Sequence, residues 1–118
     1  MINYFKEFLP NNIYKNAVSL KNIGVNELAW NWIDALKVIN YLCDNNVIIL
    51  GGDVYKISNN TLKPTCDNWF YNVNIMESNK FNSNKSREVA ISYINNYHDS
   101  YDSCCYYSII INKIWIRI

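Results

Sequence analysis

Two consecutive glycines, Gly51-Gly52, stand between the β-branched run Val47-Ile48-Ile49-Leu50 and the alternating segment Asp53-Val54-Tyr55-Lys56-Ile57. Both flanks read as strand, the first buried and the second half-buried. A Gly-Gly pair permits the positive φ angles of a two-residue hairpin turn, which matches the right-handed twist of paired strands. It also permits one long strand carrying a glycine bulge. The hairpin is the favoured reading, and under either one the chain builds a sheet here.

Helical and extended patterns alternate around this junction. Pro10 suits the first turn of a helix, and Ile13, Ala17 and Leu20 recur at helical spacing until Gly24 stops it. Asn26 as N-cap, with Glu27 in the first turn, predicts a second helix whose stripe is Leu28, Trp32, Ala35, Ile39, Leu42 and Cys43. Asn45-Asn46 ends it. Ser58-Asn59-Asn60 reads as a loop and Pro64 as a break, before a strand over Asn68–Ile75 with Trp69, Tyr71 and Val73 on one face. Ser83 or Ser86 caps a third helix with Ala90, Tyr93, Ile94 and Tyr97 on one face, and a long strand from about Tyr106 to Ile118 closes the chain. This order predicts an α+β fold, an antiparallel or mixed sheet of about four strands with about three helices packed mainly on one side. No repeat or linker divides residues 1–118, which predicts a single domain.

The chain has 118 residues, half of them apolar and 15% aromatic, enough for one core without metal or disulfide staples. Its formal charge of +1, with acids and bases scattered, provides no field to hold a polyanion, so nucleic acid is not an expected partner. The first residues lack the basic start and apolar stretch of a signal peptide, and no run approaches a membrane span. A cytoplasmic location is expected, with no membrane partner, and the four cysteines are then expected as thiols. Cys43 falls on the apolar helix face, and the adjacent Cys104 and Cys105 are poorly placed to bridge.

The constellations that suggest chemistry are sparse. His98 lies near Asp99, Asp102, Cys104 and Cys105 in sequence, which suggests a small hydrolase or transferase built on a thiol and an imidazole. Zinc would need about four converging ligands, and no paired Cys-x-x-Cys spacing offers them. A polar loop after a helix is the favoured reading. Gly51-Gly52-Asp53 could cradle phosphate, but such glycines precede a helix N-terminus and here the following residues are strand-like. Asp34, Asp67, Glu77 and Glu88 show no spacing that pairs carboxylates for acid–base work. Tyr55, Trp69, Phe70 and Tyr71 are dense enough to suggest a binding face.

Four strings, in order, carry a resemblance: Gly24-Val25-Asn26-Glu27-Leu28-Ala29-Trp30, then Ile49-Leu50-Gly51-Gly52-Asp53-Val54-Tyr55, then Thr65-Cys66-Asp67-Asn68-Trp69-Phe70, then Ser86-Arg87-Glu88-Val89-Ala90-Ile91-Ser92-Tyr93-Ile94-Asn95-Asn96-Tyr97. With the closing apolar strand they resemble the Immunity protein 40 family of bacterial polymorphic-toxin systems, from about Gly24 to the end. Phe70 departs from the tyrosine expected there. The resemblance implies a cytoplasmic protein that binds and blocks a cognate toxin domain, with no catalysis and no cofactor. Asp53, Tyr55, Asp67, Trp69 and Glu77 are then the candidate contacts, the acids facing a basic toxin and the aromatics anchoring it. A general interaction module unconnected with toxins is the further alternative.

Overall fold

The computed structural model describes Phe5, residues 9–101 and residues 105–112. In chain order these form α1 (Asn11–Tyr14), β1 (Val18–Ser19), a 3-10 turn (Lys21–Ile23), β2 (Leu28–Asn31), α2 (Trp32–Asp44), β3 (Ile49–Ser58), β4 (Thr61–Phe70), α3 (Asn79–Tyr101), β5 (Cys105–Ser108) and β6 (Ile110–Ile111). All strand pairs are antiparallel in the order β1-β2-β5-β3-β4, with β6 pairing the start of β3. The α+β prediction holds, with six strands in place of about four.

Helices α2 and α3 cover one face of the sheet. Their inward stripes, Ala35, Val38, Ile39, Leu42 and Cys43 on α2 and Ala90 and Ile94 on α3, pack with Leu28, Trp30, Val54, Trp69, Tyr107 and Ile109 in the main core. The opposite face carries a smaller cluster of Leu20, Ala29, Tyr55 and Leu62, overlaid by Ile23 and Val25 of the segment before β2. Arg87 ties the two helices together through Asp44 at 2.9 Å and Asn40 at 3.2 Å.

The first predicted helix, from Pro10 to Gly24, is corrected to one turn over Asn11–Tyr14. Ile13 and Ala17 pack on the main core while Leu20 serves the opposite face, so their helical spacing joins positions on two sides of the sheet. Val18 and Ser19 pair instead with Ala29 and Leu28. The second helix starts at Trp32, not Asn26: Asn31 is its N-cap, accepting from the Asp34 N–H at 2.9 Å, because Leu28, Ala29 and Trp30 are needed as a buried strand. The third begins at Asn79, with the Ser78 hydroxyl accepting from the Phe81 N–H at 3.0 Å. Ser83 and Ser86 lie inside that helix, fully buried. Ser83 donates to the Cys43 and Val47 carbonyls, and Ser86 accepts from the Ile49 N–H at 3.0 Å, which seats α3 against the chain entering β3.

The favoured hairpin at Gly51-Gly52 is also corrected. Both glycines lie within the single strand β3, and the turn comes later, at Asn59 and Asn60, whose φ angles of 53° and 63° suit a tight hairpin. Strand β4 accordingly runs over Thr61–Phe70 instead of Asn68–Ile75. Pro64 is accommodated because β4 is an edge strand. Opposite Val54 the edge bulges at residues 65–67, where Cys66 takes φ 71° and the Thr65 hydroxyl donates to the Val54 carbonyl at 2.9 Å. The closing strand is broken at Ile109 into β5 and β6, and its predicted continuation through Ile114, Trp115, Ile116, Arg117 and Ile118 lies outside the described residues.

Candidate functional site

Two of the sequence strings turn out to be cross-strand partners. Gly51 pairs with Phe70, Gly52 with Trp69 and Asp53 with Asn68. The Trp69 indole lies over Gly52 and stacks on Tyr93 of α3 at 5.2 Å. A glycine beneath a large aromatic ring lets helix, ring and strand come together without a gap. Tyr55 is 5% exposed and Trp69 6%, so both rings pack inside the protein and leave little surface for a partner.

The acids remain more accessible. Asp53 is half-buried on the face away from the helices, and its N–H donates to the Ser108 hydroxyl at 3.1 Å. Sequence reasoning did not foresee that Glu27 arrives beside it from the chain leading into β2. Burial pushes the Glu27 carboxyl pKa up, the Asp53 charge pushes it further, and the Ser108 hydroxyl offsets part of this. Among the described residues Glu27 Oε1 has no hydrogen-bond partner. Tyr55 below them is raised by burial and then by the two carboxylates. No local signal could have joined Glu27 to Asp53, because the sheet alone brings them together.

Asp67, at the β4 bulge, turns toward α3 and accepts from the Tyr97 hydroxyl at 2.8 Å. Burial and this bond push the Tyr97 pKa up to about 12, so the phenol keeps its proton to donate. Glu77 sits apart, exposed in the connection between β4 and α3. Among the described residues the ion pairs are Lys85–Glu88 and Arg87–Asp44, so Asp53, Asp67 and Glu77 have no basic partner among them.

The residues considered for catalysis lie on different elements. The His98 ring stacks on Trp32 at 3.8 Å, whereas Cys105 belongs to the main core on β5 and is 3% exposed. Cys104 lies outside the described residues. Two of the hollows on the described surface lie near these elements. One, of about 120 Å³, lies between Val18–Ile23 and the β3–β4 hairpin; the other, of about 230 Å³, lies beside the β4–α3 connection. Both fall below the roughly 300–1,000 Å³ of small-molecule sites.

A family model described as Immunity protein 40 matches residues 19–111. The chain belongs to the Immunity protein 40 family. No curated protein and no solved structure matches it. The match spans β1 to β6, so the sheet, α2 and α3 all lie within the immunity-protein domain. Trp30, Gly52, Trp69, Ser86, Ala90 and Ile94, drawn from all four strings, are buried in this member of the family. In the described fold these residues hold the sheet to its helices.

The Glu27 site makes a prediction about pH. A carboxyl whose pKa is raised by folding contributes most to stability when protonated, and that contribution is lost as pH rises through its folded value. Glu27→Gln, which stays neutral, is therefore expected to melt higher than the wild type at pH 7. The gain should disappear near pH 4, where glutamate is largely protonated even when unfolded. Melting curves across that range check this, and equal stability at pH 7 would show that Glu27 carries no penalty.

Proposed function

We propose that this chain is a cytoplasmic immunity protein that neutralises a cognate toxin domain by one-to-one binding, without catalysis or a cofactor. Membership of the Immunity protein 40 family carries this reading. Its surface supports a protein partner: Asp53, Asp67 and Glu77 are carboxylates without a basic partner among the described residues, and Phe70, Ile75 and Met76 hold large apolar side chains in water. Unpaired acids steer a basic partner, and exposed apolar residues supply the desolvated centre of an interface of roughly 1,200–2,000 Å². Of the five residues first singled out, Asp53, Asp67 and Glu77 are the proposed contacts, while Tyr55 and Trp69 act from below by shaping the sheet that presents them. A toxin domain found to be encoded next to this chain's gene would be the partner to test. Cells expressing that domain are expected to grow when this chain is co-expressed, and continued killing with both proteins soluble would contradict the reading.

A further inference from the structure

The connection between β4 and α3 is rigidly held yet exposes apolar side chains. Asn82 fixes it with four bonds: its oxygen accepts from the Tyr71 hydroxyl at 2.7 Å and the Asn74 N–H at 2.8 Å, and its amide donates to the Asn74 and Ser78 carbonyls. Asn74 in turn accepts from the Met76 and Glu77 N–H groups, each at 3.0 Å. On this fixed frame Ile75 is 89% exposed and Met76 87%. Two adjacent large apolar side chains held this far out in water form an apolar patch of the kind that marks an interaction site. A preorganised loop that holds such groups out in water reduces the ordering cost of a partner's docking.

Next to this surface lies the hollow of about 230 Å³, lined by Ile48, Val73, Asn74, Ile75, Glu77 and the α3 start. At about 30 Å³ per water it has the capacity of about seven waters, the scale of one long side chain. Its lining is mainly apolar and includes Asn74, Asn79, Asn82 and the exposed Glu77, whose carboxylate has no basic partner among the described residues. An apolar trough bordered by a residue of unpaired negative charge is complementary to a hydrocarbon stem with a cationic head.

We propose that this hollow receives an arginine or lysine side chain of the toxin domain, its stem against Val73 and Ile75 and its cation on Glu77, with Ile75 and Met76 forming the apolar rim of that contact. This rests on the toxin-binding reading above and names the surface and partner chemistry that serve it. Arginine is over-represented at the centres of protein interfaces, and its guanidinium can engage a carboxylate with two parallel bonds.

Two titrations test it. In the first, N-acetyl-arginine methylamide is added to ¹⁵N-labelled protein in the millimolar range, with the citrulline analogue as a neutral control. Saturable shifts are expected at the amides of residues 73–82 for arginine and not for citrulline, and they should vanish in Glu77→Gln. Equal shifts for both compounds, or none, overturn the proposal whether or not a toxin is bound. In the second, the neighbouring toxin domain is titrated into wild type, Glu77→Lys and Glu88→Gln. Glu77→Lys is expected to weaken binding about 100-fold while the helix-surface control Glu88→Gln stays within about 3-fold. Tight binding by wild type and Glu77→Lys alike sinks this hollow but leaves the toxin-binding reading intact. Failure of wild type to bind sinks the reading itself.

Discussion

Replacing Gly52 with alanine is expected to destabilise the protein by about 2–4 kcal/mol, lowering its melting temperature by roughly 10 °C. The added Cβ would fall within contact distance of the Ser108 carbonyl on β5 and the Trp69 indole, one on each side of β3. Neither neighbour moves easily, because the carbonyl belongs to a buried strand and the indole is held against Tyr93. Gly51→Ala meets a similar obstacle in the Trp69 carbonyl and also strains the backbone, since Gly51 has φ 155°. The double substitution Gly52→Ala with Trp69→Leu removes the ring contact but not the Ser108 carbonyl, so it should cost less than the sum of its two single substitutions. Urea denaturation of these variants and of Trp69→Leu checks this. Full stability in Gly52→Ala would mean that β3 and β4 approach less closely than described.

Asn82→Ala is expected to cost about 2–4 kcal/mol, since it leaves the Tyr71 hydroxyl and the Asn74 N–H without their acceptor. The side chain is 2% exposed, so water cannot replace its bonds without entering the core edge. The loss should be local before it is global. Amide hydrogens at Asn74, Met76 and Glu77 are expected to exchange faster by at least tenfold, because their bonds rest on a loop that Asn82 fixes. Asn82→Asp keeps the acceptor but loses both donated bonds and buries a charge, so it should be no better than alanine at pH 7 and recover as pH falls. Exchange measurements on the two variants check the loop, and unchanged protection would show that it is held by other contacts.

The parts of the fold that were legible in the sequence are those governed by neighbours along the chain. The stripe Ala35, Ile39, Leu42 and Cys43 predicted the buried face of α2, and Ala90 with Ile94 predicted that of α3. Positions set by distant partners were read wrongly. Gly51-Gly52 looked like a turn because the feature that demands glycine there, the Trp69 strand and ring, comes from elsewhere in the chain. Asn59-Asn60, read only as loop, makes the actual hairpin, since asparagine tolerates positive φ almost as glycine does. Ser83 and Ser86 looked like caps because a serine that must be small and hydrogen-bonded inside a helix has the same sequence pattern.

The candidate site was legible in chemistry more than in place. Asp53, Asp67 and Glu77 were identified as acids without an assigned task, and they keep accessible carboxylates without basic partners among the described residues. Tyr55 and Trp69 stood out as aromatics, but alternation does not tell which face of a sheet is covered, and both faces of β3 are. Glu27 could be connected to Asp53 only through the β2–β5–β3 arrangement of the sheet.

The central claim is neutralisation by one-to-one binding, and a stoichiometric titration of toxin activity tests it most directly. A fixed amount of a toxin domain found to be encoded next to this chain's gene is mixed with increasing amounts of this chain, and residual toxin activity is read after equilibration. The account predicts a linear fall that reaches its floor at one equivalent and is independent of incubation time. Activity that persists at several equivalents, or that is abolished by a small fraction of an equivalent on longer incubation, would contradict it, the second result pointing to an enzyme.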